Sequence, residues 1–366
     1  MKTLMRSLVI FIFIIFLFPQ ISQPCTTFFF NHNGNPVFGK NYDWFIENGL
    51  VVINKRGVSK VAMGRKDFDT LASWTSKYGS LTFNQYGRES PMGGINETGL
   101  VVELMALTDS VYPQKDDRPV INAMQWIQYQ LDNFSKVEQV IASDSQIRIY
   151  DPMIGRGKHF LVADKEGNCA TIEFIDGKMV YHTKETLPIK AMANSTYDES
   201  MQYIKIFGGP GGSNPISDPL ESLSRFVRAA NMLKNYNPDI QTSSIDYAFN
   251  ILNNVANTSS AYPTQWSIVY DIQKLRVYFR TLLNRQIRYI DLHSLDFSCK
   301  SSVKVMDMNL SGSGDITGNF SNYTRQVNLD LLKQSYIKTY SKAFMTDEML
   351  EQFSKYPEST SCDQQK

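Results

Sequence analysis

An unbroken apolar run over residues 8–18, preceded by Lys2 and Arg6, stands at the head of the chain, and no second run of that length follows. A basic flank ahead of an apolar stretch of this size has the form of a secretory leader. The run falls short of the ~20 residues that a membrane-spanning helix needs. The expected product is a secreted or periplasmic protein, with residues 1–24 removed and no stable membrane span in the remainder. Signal peptidases prefer small residues at the last and third-last positions before the cut. For a cut before Cys25, Ser22 meets that preference and Pro24 does not; a cut after Ser22 leaves Gln23 and Pro24 to be trimmed. Losing Lys2 and Arg6 lowers the basic count from 37 to 35 against 36 acidic residues. A charge near −1 offers no cation surplus for a phosphate backbone, so no nucleic-acid partner is expected.

Beyond the leader the sequence carries many short β-branched and aromatic runs separated by turn residues, the pattern of strands. Strands are expected at 26–30, 37–39, 50–54, 81–86, 100–105, 160–163, 171–175, 178–182, 267–271, 275–280 and 288–292. The first two form a hairpin around the polar stretch 31–35, with Cys25 at its open end. Amphipathic helices are expected at 119–131 and 245–255. A third should start at Asp218 as N-cap, with Pro219 at the first helical position and Glu221 three residues after the cap. Its apolar stripe is Leu220, Leu223, Val227 and Ala230, which puts Arg225 and Arg228 on the far side. Interspersed antiparallel strands and helices indicate an α+β fold with layered sheets. Residues 25–300 read as the main domain. Residues 301–366 read as a partly helical extension that begins with a Ser/Gly/Asn-rich linker near 310–322.

The strongest chemical candidate is Cys25. Once the leader is removed up to it, this residue carries both a thiol and an α-amine with a pKa of roughly 7.7–8.0. A neutral amine beside a thiol can take its proton, so one residue serves as nucleophile and base. On position alone, a buried strand cysteine or a disulfide partner is an equal alternative. The four histidines, His32, His159, His182 and His293, show no metal-ligand spacing, so no zinc or other metal is expected. Cys169 lies in an expected strand and reads as a buried thiol, whereas an oxidising compartment permits a Cys299–Cys362 disulfide.

Further blocks follow Cys25-Thr26-Thr27-Phe28: Gly39-Lys40-Asn41-Tyr42-Asp43-Trp44, Asn96-Glu97-Thr98-Gly99-Leu100, Ala193-Asn194-Ser195 and Ser224-Arg225-Phe226. In this order they resemble the choloylglycine hydrolase family of linear amide hydrolases, which includes conjugated bile salt hydrolases and penicillin V acylases. The resemblance covers about residues 25–292 and departs at Lys40, where the family has Arg. It implies the four-layer αββα sandwich of N-terminal nucleophile hydrolases, no cofactor, and assembly as a dimer or tetramer. It also implies cleavage of a linear amide in an N-acylated small molecule through a thioester. Alternatives are an acyltransferase or lipid amidase of the same superfamily, or a catalytically silent secreted binding protein. By the same resemblance, Cys25 is the nucleophile and Asp43 holds its α-amino group. Lys40 supplies positive charge near the thiol, and Asn194 donates its amide to the oxyanion together with a backbone N–H near Met105 or Ala106. Arg225 completes the polar ring.

Overall fold

The structure, a computed structural model, describes residues 24–64, 70–150, 157–209, 212–217, 220–237, 243–340, 342 and 345–362. The expected leader, up to residue 23, and the expected helix start at Asp218 and Pro219 lie outside the described residues.

The expected first hairpin is present and longer than its apolar cores: strand Thr26–His32 pairs antiparallel with strand Asn35–Asp43. Asn33 and Gly34 link them, both at positive φ (51° and 77°). A two-residue turn with both φ positive matches the right-handed twist of the flanking strands, which is why Asn-Gly suits it. This hairpin lies within a seven-stranded sheet. Its order is Ala191–Met192, Thr26–His32, Asn35–Asp43, Thr264–Asp271, Arg276–Thr281, Arg288–Asp291 and Gly314–Asp315. A nine-stranded sheet packs against it. Its order is Lys178–Thr183, Cys169–Ile175, Lys158–Ala163, Val101–Ala106, Pro91–Asn96, Ser80–Asn84, Leu50–Asn54, Lys304–Asp307 and Ser321–Asn322.

Between the sheets, the Phe83 ring meets Tyr270 and Phe279 edge-on at centroid distances of 6.4 and 5.6 Å. Helix Ala123–Asn133 covers the outer face of the nine-stranded sheet, with Trp126 on Phe160 at 4.4 Å. Helices Ser222–Lys234 and Ser244–Asn254 cover the outer face of the other sheet. The layers therefore run αββα. Central strands are covered on both faces, so Val101–Ala106 is buried at every position and shows no alternation.

The third helix departs from its expected form. Among the described residues it is Ser222–Lys234 with Glu221 as N-cap, and Leu220, placed by periodicity in the apolar stripe, is exposed ahead of it. Arg225 and Arg228, expected on the outer face, are both buried. The helix packs on strands Thr26–His32 and Ala191–Met192 and also on helices Tyr197–Tyr203 and Ser244–Asn254. It therefore has more than one covered face, and a single-stripe reading fails.

After residue 300 the chain is woven into both sheets and then forms helices Arg325–Tyr340 and Asp347–Lys355. Its end returns as Ser361–Cys362 to pair with strand Val58–Val61, and Cys362 is disulfide-bonded to Cys299 with the Cα atoms 5.5 Å apart. The bridge spans 63 residues. Loop-closure entropy for that span stabilises by about 4 kcal/mol. Cys362→Ser is expected to lower the melting temperature and to abolish its response to reductant. An unchanged melt would show that strand pairing alone secures the terminus.

Candidate active site

Cys25 sits just before the first strand, 1% exposed, and three separate segments converge on it. Its backbone N–H donates to Asn194 Oδ1 at 2.8 Å. Asn194 follows the edge strand Ala191–Met192, and its own N–H donates to Ser222 Oγ at 2.8 Å, at the start of the Arg225 helix. The Asn194 side chain is used at both ends, because Nδ2 donates to the Ala106 carbonyl at 2.9 Å. Behind it, His159 lies between the Glu173 carboxylate (Nδ1–Oε1, 3.1 Å) and the Ala193 carbonyl (Nε2–O, 2.9 Å), which braces the residue preceding Asn194.

Arg225 projects inward from its helix and spreads its guanidinium over the same cluster. Nη1 donates to the Cys25 carbonyl and to Thr26 Oγ1 (2.5 Å), Nη2 to Asn194 Oδ1 (2.7 Å) and Nε to the Leu220 carbonyl (3.0 Å). A planar fork satisfies several acceptors from one rigid group, which suits Arg at a buried crossing of this kind. Asp43 ends the second strand. Its Oδ1 accepts from Thr264 Oγ1 at 2.5 Å, while the buried Oδ2 has no hydrogen-bond partner among the described residues. Burial pushes the Asp43 carboxyl up to about 7, against the opposing pull of Arg225, the Thr264 hydrogen bond and Lys40. Burial also raises the Cys25 thiol. Lys40 opposes that rise, as do the Asp43 backbone N–H and Arg225, whereas the Asp43 charge adds to it. Two cations and a peptide N–H thus stand ready to stabilise a thiolate in a site that otherwise disfavours charge.

Lys40 lies on the inter-sheet face of the second strand, 1% exposed, and donates from Nζ to the Leu104 carbonyl. The residues expected at the oxyanion backbone lie on the same strand, Val101–Ala106. Ala106 meets Asn194 through its carbonyl, and Met105 Sδ lies 3.3 Å from Thr27 Oγ1. Hydrogen bonds therefore join Cys25, half-buried Asn194, Arg225 and the Ala106 carbonyl, while Lys40 and Asp43 stand on the strand paired with Thr26–His32.

Sequence reasoning assigns no role to several participants. Thr264 falls in a stretch whose residues carry no chemical signal of their own. Glu103 and Tyr270 form a second polar pair near Lys40 that the sequence marks only by one carboxylate within the apolar run Val-Val-Glu-Leu-Met-Ala. Beside Asp43, Trp44 donates from Nε1 to Tyr86 Oη (2.9 Å), and the Tyr86 hydroxyl is 3.0 Å from Thr339 Oγ1 in helix Arg325–Tyr340. The C-terminal extension thus braces the segment that carries Asp43. Among the described residues no group of three or more His, Cys, Asp or Glu could hold a metal ion, and no helix is long and apolar enough to cross a membrane. Cys169 is a free, buried thiol that burial pushes far above its ordinary value.

A cysteine at the head of the first strand of an αββα sandwich, ringed by Asp, Asn and Arg, defines an N-terminal nucleophile hydrolase fold. Residues 25–305 match the sequence profile of the linear amide C–N hydrolases, choloylglycine hydrolase family. The chain belongs to that family, whose members act on carbon–nitrogen bonds of linear amides. A penicillin V acylase from Pectobacterium atrosepticum is 27% identical over 319 residues, 76% of this chain and 83% of that protein. The structure of a penicillin V acylase from Agrobacterium tumefaciens superposes with a TM-score of 0.70 at 26% identity, covering 82% of this chain and 98% of that one. A mutant conjugated bile acid hydrolase from Clostridium perfringens shares the fold, with a TM-score of 0.65 at 20% identity over 80% and 98% of the two chains.

Proposed function

We propose that this protein is an exported amidohydrolase that matures to an N-terminal Cys25 and cleaves N-acylated small molecules by way of a thioester on that residue. The observation that carries the reading is the convergence of Asn194, Arg225, Asp43 and Lys40, from three segments, on one buried cysteine at the head of the first strand. The unpartnered Asp43 Oδ2 supports the maturation step. A processed Cys25 carries an α-amino group with more N–H donors than a peptide nitrogen, and a buried carboxylate oxygen calls for one.

In the proposed reaction the α-amine takes the thiol proton and Sγ attacks the amide carbonyl, forming an S–C bond. The developing oxyanion takes a hydrogen bond from the Asn194 amide, which has a second N–H besides the one given to Ala106, and from a backbone N–H at Met105 or Ala106. Collapse breaks the C–N bond, and the leaving amine takes its proton from the α-ammonium. Water then cleaves the thioester and restores the thiol. Penicillin V acylase as a named relative makes phenoxyacetyl amides the first substrates to try.

The test is the intact mass of the exported protein, followed by turnover of a panel of penicillin V, an N-acyl-homoserine lactone, N-lauroylglycine and taurocholate. A mature chain starting at Gln23 or earlier would have no free amine on Cys25 and would overturn the mechanism. Loss of one oxyanion donor costs roughly 10²–10³ in kcat at comparable sites. Asn194→Ala is therefore expected to lower kcat by that factor with KM little changed, and a loss confined to KM would place Asn194 in substrate binding instead.

A further inference from the structure

Lys40 places an ammonium, not a guanidinium, in the buried space between the two sheets. A guanidinium brings its own planar fork, whereas an ammonium is a point charge on a flexible stem and needs neighbours to aim it. Strand Val101–Ala106 supplies them. Glu103 Oε2 lies 3.7 Å from Lys40 Nζ, and the next carbonyl, Leu104, accepts from the same Nζ. Glu103 is in turn fixed from two sides. Tyr270, on strand Thr264–Asp271, donates its hydroxyl to Oε1. Directly across the ladder stands Gly93, where a Cβ would lie 2.0 Å from Glu103 Oε2. The carboxylate thus occupies space that any side chain at 93 would take. Lys40 and Glu103 are 1% and 2% exposed, and Tyr270 is fully buried. A buried polar cluster of this kind is costly unless each member is paired.

We propose that Glu103 is a positioning residue for the hydrolysis. Held by Tyr270 and by the room left at Gly93, it and the Leu104 carbonyl aim the Lys40 ammonium at the Cys25 thiol. This inference rests on the reading of Cys25 as nucleophile. Glu103 and Leu104 meet the Lys40 ammonium from the opposite sheet, and in its own hairpin Lys40 pairs across the ladder with Thr27, whose side Cys25, two residues earlier, shares. Burial lifts the Glu103 carboxyl to about 7, against the opposing pull of Lys40 and Tyr270. Glu103 is argued to act on the thiol through Lys40, because its carboxylate meets Lys40 and Tyr270.

The test is a double-mutant cycle in the mature enzyme, on whichever amide of the panel is turned over fastest. Glu103→Gln is expected to lower kcat about 10-fold with KM unchanged. Lys40→Met is expected to lose at least as much. The pair together should be no worse than Lys40→Met alone, because the carboxylate then has nothing to aim. Multiplying losses, or a wild-type kcat in Glu103→Gln, would overturn the proposal; so would a change confined to KM. If Glu103→Gln does not fold, Tyr270→Phe carries the test. Its kcat should fall about threefold in the native background and remain unchanged in the Lys40→Met background, and any other pattern rejects the idea. Activity retained by Cys25→Ala would signal failure of the nucleophile reading itself, which separates the two.

Discussion

Cys25→Ala is expected to lower kcat/KM by at least ~10⁴-fold on every amide of the panel, since removing a nucleophile forfeits the covalent route and leaves only binding and oxyanion stabilisation. The fold should survive. Cys25 is almost fully buried, its Sγ is the only atom lost, and its backbone bonds to Asn194 and Arg225 are independent of the side chain. The melting temperature should therefore stay near that of the native protein while turnover disappears. This split separates a chemical role from a packing role, because a merely structural cysteine would show the reverse. Cys169→Ala is the control: this buried free thiol, on strand Cys169–Ile175, should leave kcat intact. Measurable turnover in Cys25→Ala, with the N-terminus confirmed by mass, would refute the assignment.

Arg225→Leu has the second largest expected effect, and here activity and stability should fall together. The substitution strips donors from the Cys25 carbonyl, Thr26 Oγ1, Asn194 Oδ1 and the Leu220 carbonyl at once. It also removes the largest charge opposing the rise of the Asp43 carboxyl, as well as one that holds the thiol down. Breaking a buried charged network by deleting one partner costs roughly 3–5 kcal/mol. Turnover should drop at least ~100-fold through the misplaced Asn194 amide, by analogy with the loss of an oxyanion donor. Denaturant unfolding of the native protein and the variant, alongside kcat on the same amide, checks both. Arg225→Lys should recover little, because an ammonium cannot serve four acceptors spread around a plane. A soluble Arg225→Leu with native stability and native kcat would show that the arginine only fills space.

The pH response of the site follows from the raised carboxyl of Asp43. In the unprocessed chain its folded pKa, about 7, lies above the unfolded value of 3.8. A raised acid contributes stability that is fully present below the unfolded value and is lost as pH rises through the folded one. That contribution therefore declines between about pH 4 and 7. Under the proposed processing at Cys25, an ammonium added beside the carboxylate would oppose the decline.

Much of the architecture was legible along the chain. The opening hairpin could be read from aromatic and β-branched runs around Asn33-Gly34, because local turn chemistry and strand propensity act within a few residues. Strand Leu50–Asn54 coincides with its expected bounds for the same reason. The Arg225 helix could not be read this way. Its periodicity pointed Arg225 outward because a hydrophobic stripe assumes one buried face, and this helix is covered on more than one. The ordered motif blocks placed Arg225 at the site when its helical phase did not.

By itself, then, the sequence determined the α+β class, the hairpin with Cys25 at its head, and the family to which the ordered blocks belong. These rest on propensity, turn residues and spacing, all of them short-range in the chain. Only the tertiary structure decided that Arg225 turns inward, that Asn194 meets Cys25 across 169 positions, and that Glu103 stands behind Lys40. It also decided that the C-terminal helix reaches Tyr86. Those contacts join residues far apart in sequence, and their energetics depend on burial and on the exact partner each polar group finds once the two sheets close on each other.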